Sequence, residues 1–199
     1  MTPALKFDNL AKTYRERGAG KRALNGISFA IEPGEIVGFL GPNGAGKTTA
    51  MHILMDVLFP TSGNTEIMGF NSRDPQSRQQ VGFLPEVFAF DGFLTGTRFL
   101  KLFGSLSGRN QDLVTAHIPE LLTFLDMPDA ANVRIKNYSK GMTQKIGLAQ
   151  ALIGDPQILI LDEPTSGMDP IAKARIKQLF IKLRTEGKTV FLSTHILSD

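Results

Sequence analysis

The sequence predicts an α/β fold with a mainly parallel sheet, an antiparallel amino-terminal β part and an inserted helical segment. Three observations predict it. Strand-like and helix-like runs alternate along much of the chain, as βαβ units require. "QILILD" and "KTVFLST" are uninterrupted apolar stretches, which suit strands buried on both faces. Between an apolar run and a helix lies a loop of small residues, "GPNGAGKTT", at the strand end where sheets of this class collect ligands.

In chain order, β-like runs fall at 4–8, 24–31 and 35–40, with turn signals "RGAGK" and "EPGE" between them. Residues 47–58 have helical character, and "QVGFLP" at 80–85 reads as a strand. From 95 to about 126 the pattern is helical but irregular, with Phe99, Leu102, Phe103 and Leu106 at i, i+3, i+4 and i+7. Ser139 starts a helix over 140–153 whose apolar positions are Met142, Ile146, Ala149, Leu152 and Ile153. Asp169 as N-cap and Pro170 at N1 open another, with Ile176, Leu179, Phe180 and Leu183 facing the core. A single domain is expected: residues 1–87 and 156–199 form the core with its β part, and about 88–155 the helical subdomain.

At 199 residues and 42% hydrophobic content the chain can bury one substantial core. No uncharged apolar run approaches the roughly 18–20 residues that span a bilayer, and "MTPALKFDNL" lacks the parts of a signal peptide. The absence of Cys excludes disulfides, thiolate chemistry and Cys-based metal sites. His52, His117 and His195 are scattered, so no metal cluster is read. A soluble, cytoplasmic protein is the expectation. Net charge is +3, and residues 1–22 hold six Lys or Arg against Asp8 and Glu16, leaving −1 for the remainder. That basic edge reads as a solvated hairpin loop around "RERGAGKR", and no nucleic-acid partner is expected.

The chemistry starts with the small-residue loop. Gly41, Pro42, Asn43, Gly44, Ala45, Gly46, Lys47, Thr48 and Thr49 match G-x-x-x-x-G-K-[ST], the Walker A loop of a P-loop NTPase core. Small residues let backbone N–H groups wrap a polyphosphate, Lys47 reaches the β- and γ-phosphates, and Thr48 offers a hydroxyl to Mg²⁺. "ILILDEP" sets Asp162 and Glu163 at the end of a buried strand. Asp162 would hold Mg²⁺ through a water, leaving Glu163 to polarise the water that attacks the γ-phosphate. His195 ends the next strand as a candidate γ-phosphate sensor, and the Tyr14 ring is a candidate base-stacking surface. "YSKGMTQK", 138–145, is a second helix start suited to an anion, with Ser139 as cap and Gly141 permitting close approach.

Together these motifs resemble the ATP-binding-cassette (ABC) ATPase family over nearly the whole chain. "SGMD" at Ser166–Asp169 looks like its D-loop, His195 falls at its switch histidine, "VGFLPE" lies at its Q-loop, and Tyr14 at its adenine-stacking aromatic. "YSKGM" occupies the place of its signature, usually L-S-G-G-Q: Ser139 and Gly141 match, while Tyr138, Lys140 and Met142 depart. Glu86 stands where Gln is typical and could meet Mg²⁺ or the attacking water.

The resemblance implies ATP and Mg²⁺ as ligands, and a second copy of the subunit as partner. Ser139, Lys140, Gly141 and Asp169 would reach the partner's ATP in trans. It also implies separate transmembrane permease subunits that hold the protein at the inner face of the cell membrane. The region after the Q-loop would receive them, where Phe88, Phe90, Phe93, Phe99 and Phe103 cluster. "LPE" and "YSKGM" look more exporter-like than importer-like. The family's cassette runs on beyond the switch histidine, so its carboxyl-terminal part is expected to be missing here. Two other readings are a non-transport ABC ATPase acting on ribosomes or DNA, and a P-loop nucleotide kinase. The kinase leaves "YSKGM", "SGMD" and His195 without a task.

Overall fold

The computed structural model describes residues 2–15, 20–87 and 92–195. Strands β1 (Leu5–Tyr14) and β2 (Lys21–Ile31) pair antiparallel, with Leu5 opposite Ile31 and Tyr14 opposite Lys21. Strand β3 (Ile36–Leu40) leads through the small-residue loop into helix α1 (Lys47–Leu54). Strands β4 (Ser62–Ile67) and β5 (Phe70–Asn71) then complete an antiparallel sheet of order β2-β1-β4-β5.

Strand β6 (Val81–Leu84) starts the return to the second sheet. Helices α2 (Gly96–Leu106), α3 (Gln111–Phe124) and α4 (Lys140–Leu152) follow before strand β7 (Ile158–Asp162). Helix α5 (Pro170–Thr185) crosses to strand β8 (Thr189–Thr194). The second sheet is parallel, in the order β3-β8-β7-β6. The mixed α/β architecture matches the expected class.

Every residue of β7 and β8 is buried, as two uninterrupted apolar runs demand. Their side chains alternate between two cores. Ile158, Ile160 and Phe191 join α1 and the antiparallel sheet, whereas Leu159, Leu161, Val190 and Leu192 join α2 to α5. Four rings pin the two sheets together. Phe7 stacks on Phe29 at 4.3 Å, and Phe191 meets Phe7, Phe29 and Phe39 at 5.8, 6.0 and 5.7 Å. Such pairs add about 0.5–1.5 kcal/mol each beyond area burial.

Several element boundaries differ from the sequence reading. Strand β1 runs on to Tyr14, and α1 stops at Leu54, with Asp56 at φ 59° closing it. The irregular stretch after 95 is two helices, because two caps compete with one continuous helix. Thr95 accepts from the Arg98 amide at 3.4 Å, and Asn110 from the Asp112 amide at 2.8 Å. Strands β4 and β5 lie outside the strand-like runs of the sequence: "SGNTEI" is a weak strand former that gains its ladder from β1, and β5 pairs with β4 in turn. No helix among the described residues is long and apolar enough to cross a membrane.

Candidate active site

The small-residue loop is fastened at its base, where the Gly41 amide donates to the Thr194 carbonyl of β8 at 3.3 Å. Gly46 precedes α1 with φ 94°, and a Cβ there would lie 2.4 Å from the Ala23 carbonyl oxygen. Only glycine fits both demands. The loop therefore closes tightly onto β2 at the start of α1, where the first amides of a helix have no partner within it. Lys47, only 6% exposed, folds back over it. Its ammonium donates to the carbonyls of Gly41 (2.6 Å) and Pro42 (3.2 Å) and stands 3.7 Å from Glu163 Oε1.

The two carboxylates at the end of β7 have different surroundings. Asp162 is fully buried, and the Ser193 hydroxyl of β8 donates to its Oδ1. Its Oδ2 has no hydrogen-bond partner among the described residues. Glu163 has φ 51°, an uncommon conformation for a long side chain, one that costs on the order of 1–3 kcal/mol and persists only where the surroundings hold it. Its amide donates to Ser193 Oγ at 2.9 Å, and its carbonyl accepts from Gln144 Nε2 at 3.1 Å. The side chain reaches His195, whose Nδ1 lies 2.8 Å from Oε2, while Oε1 faces Lys47 without a hydrogen bond.

A cleft of about 370 Å³ runs along this wall, lined by Tyr14, Lys21, Ala23, Asn43, Gly44, Gly46, Lys47, Thr48, Thr49, Glu86 and Glu163. Thr48 Oγ1 donates to Glu86 Oε2 at 3.4 Å. The Tyr14 hydroxyl lies 3.2 Å from Thr49 Oγ1, with the Lys12 ammonium 5.3 Å from its ring centre. A larger groove of about 610 Å³ lies elsewhere, between β6 and the helices, but carries neither carboxylate nor histidine. Chemistry, not volume, selects the smaller cleft.

No three His, Asp or Glu side chains among the described residues gather to hold a metal by themselves. The donor set suits Mg²⁺ all the same, because that ion takes one or two carboxylates and draws its other ligands from phosphate and water. Asp162 Oδ2, buried without a partner, and the Thr48–Glu86 pair are donors of that kind.

The second helix start lies apart, since the described residues lining the cleft do not include Ser139, Lys140, Gly141 or Asp169. Ser139 caps α4, its Oγ accepting from the Met142 amide at 3.2 Å. The Lys140 stem covers Gly167, and a Cβ added to Gly167 would lie 3.1 Å from its Cδ. Asp169 caps α5 by accepting from the Ala172 amide at 2.9 Å, and that bond holds its carboxyl below the usual carboxylate range. Tyr138 points inward: its hydroxyl donates to the Ala130 carbonyl at 2.6 Å, and burial raises its pKa.

Sequence reasoning missed Lys21 and Ala23 on the cleft wall, and Gln144 and Ser193 behind Glu163. Ser193 lies two residues before His195 in "LSTHI" and could have been flagged. Nothing in the sequence marks Gln144.

Residues 24–166 match the family model described as "ABC transporter". The chain belongs to the ABC ATPase family. Curated ABC relatives include the transporter ATP-binding protein YxlF of Bacillus subtilis, 40% identical over 98% of this chain and 63% of its own length. Nod factor export ATP-binding protein I of Paraburkholderia xenovorans is 37% identical over 98% of this chain and 64% of its own. The chain thus spans between half and two-thirds of the length of the curated relatives it matches. Among solved structures, the ABC cassette MJ0796, a dimer bound to ADP and Pi, superposes with a TM-score of 0.89. It is 27% identical, over 98% of this chain and 89% of that one.

Proposed function

We propose that the cleft binds Mg-ATP and hydrolyses it as the ATPase subunit of a membrane transporter. The observation that carries this reading is Glu163, buried at a strand end with one oxygen on His195 and the other facing Lys47 across the cleft wall. Lys47 and the loop amides hold the phosphates, and Tyr14 stacks on the base. Glu163 accepts a proton from, or polarises, the attacking water, and His195 fixes its orientation while sensing the γ-phosphate. Thr48, Glu86 and Asp162 hold Mg²⁺, which when bound neutralises charge on the phosphates.

Ser139, Lys140, Gly141 and Asp169 serve a second copy of the subunit. They lie outside their own chain's cleft, and the structural relatives include dimeric cassettes. Ser139 still has its hydroxyl proton to donate, because its cap uses only the oxygen as acceptor. Closure of two subunits around two Mg-ATP and reopening after hydrolysis would drive the transport cycle. Separate permease subunits would hold the protein at the cytoplasmic face of a membrane, and the similarity to Nod factor export proteins favours export.

Glu163→Gln keeps size and shape but removes the base. Turnover is expected to fall by about 10²–10⁴ while ATP binding persists. The same variant should shift from monomer to dimer mass when Mg-ATP is added. Near-normal turnover would remove Glu163 from this role, and a variant that binds ATP yet never pairs would remove the trans site.

A further inference from the structure

We propose that Gln144 is a positioning residue for Glu163, tying the helix that starts at Ser139 to the catalytic carboxylate of its own chain. The inference rests on the role given above to Glu163. Gln144 is 6% exposed, and a buried primary amide is costly unless it is bonded. Its Nε2 donates to the Glu163 carbonyl at 3.1 Å, which also accepts from the Ser166 amide at 3.0 Å. Ser193 Oγ holds the Glu163 amide at 2.9 Å.

Both backbone polar groups of Glu163 are therefore restrained by side chains from other elements, at a residue whose φ of 51° needs restraint. Relaxing that backbone would swing the carboxylate away from His195 and Lys47. Gln144 lies five positions after Ser139 on one short helix, and the Lys140 stem covers Gly167 just beyond Ser166. A displacement of the α4 start thus reaches Glu163 through two links, one hydrogen-bonded and one packed. The helix start that serves the partner's nucleotide reports to the carboxylate serving its own.

Gln144→Met keeps the side-chain length and removes the donor. Its turnover should fall about ten-fold, the scale of one lost hydrogen bond at a reacting centre, with ATP affinity within about two-fold of wild type. Gln144→Glu should show a similar deficit that narrows as pH falls, because a protonated carboxyl regains a donor. A deficit in Gln144→Glu that ignores pH, or normal turnover in Gln144→Met, would overturn the proposal. So would lost ATP affinity in both variants, which would make Gln144 a support of the fold.

Mixed dimers separate cis from trans action. One subunit carries Glu163→Gln and the other Gln144→Met, leaving one intact Glu163 beside the altered Gln144 and facing an intact signature. If Gln144 acts in cis, that dimer turns over about ten-fold more slowly than one pairing Glu163→Gln with wild type. Equal rates would overturn the proposal and assign Gln144 to the trans contact. Normal turnover in the Glu163→Gln homodimer would instead sink the reading of Glu163, and this inference with it.

Discussion

Gly46 makes the strictest demand of any position in the phosphate loop. Its φ of 94° and the Ala23 carbonyl 2.4 Å from a built Cβ act together, so relieving one leaves the other. Gly46→Ala should cost on the order of 1–3 kcal/mol in backbone strain, and the loop must also shift off β2. We expect a lower melting temperature and at least ten-fold weaker ATP binding, read by thermal melting and nucleotide titration. Wild-type affinity in this variant would mean the loop tolerates the shift, and that its tight closure on β2 is not what shapes the cleft. Glu163 is the counterpart case: a non-glycine residue in the same left-handed region, held there by Gln144 and Ser193.

Between elements, Asp155 ties the end of α4 to β8 and to the segment before α3. Lys188, nearly buried, donates to Asp155 Oδ1 at 2.6 Å, and Arg109 pairs with Oδ2. Partial burial alone would raise the Asp155 pKa, but the Lys188 and Arg109 contacts outweigh it and hold the carboxyl below its ordinary range. A depressed folded-state pKa contributes stability that is present above the unfolded value and lost as pH falls through the folded one. Asp155→Asn should therefore be less stable than wild type at pH 7, with the gap closing below about pH 4. Urea midpoints across that range test it. A gap that stays constant with pH would mean that the carboxylate charge plays no part.

At the scale of the molecule, two cores sit on opposite faces of one parallel sheet, and the cleft opens where that sheet's strands end. Of the five phenylalanines clustered after the Q-loop, one or two exposed rings would suffice to dock a membrane partner, and the fold separates them. Phe99 is 1% exposed and belongs to the helical core, and Phe103 packs against that core. Phe93 is 72% exposed, with the Lys136 ammonium 5.6 Å from its ring centre, while Phe88 and Phe90 lie outside the described residues. Only Phe93 among the described three offers a ring to a partner. Phe93→Ser should leave the melting temperature within a degree or two and weaken capture of a co-expressed permease. Undiminished capture would place docking elsewhere.

The α/β class, the phosphate loop and the placing of Asp162, Glu163 and His195 at strand ends are all legible in the amino-acid order. These depend on local rules: apolar runs, glycine where amides must face a ligand, and caps at helix starts. Ser139 and Asp169 were legible as caps for the same reason. Other features depend on packing between residues distant in the chain. Strand β4 exists because β1 supplies its ladder, and β5 because β4 in turn supplies one. Gln144 meets Glu163 across 19 positions and Ser193 meets it across 30, and no local pattern names Glu163 as the partner of either. Burial divided the phenylalanines, and a hydrogen bond to Ala130 turned Tyr138 inward. Periodicity reveals which face of a helix is apolar, but the partner of a buried polar side chain is fixed only when the elements pack.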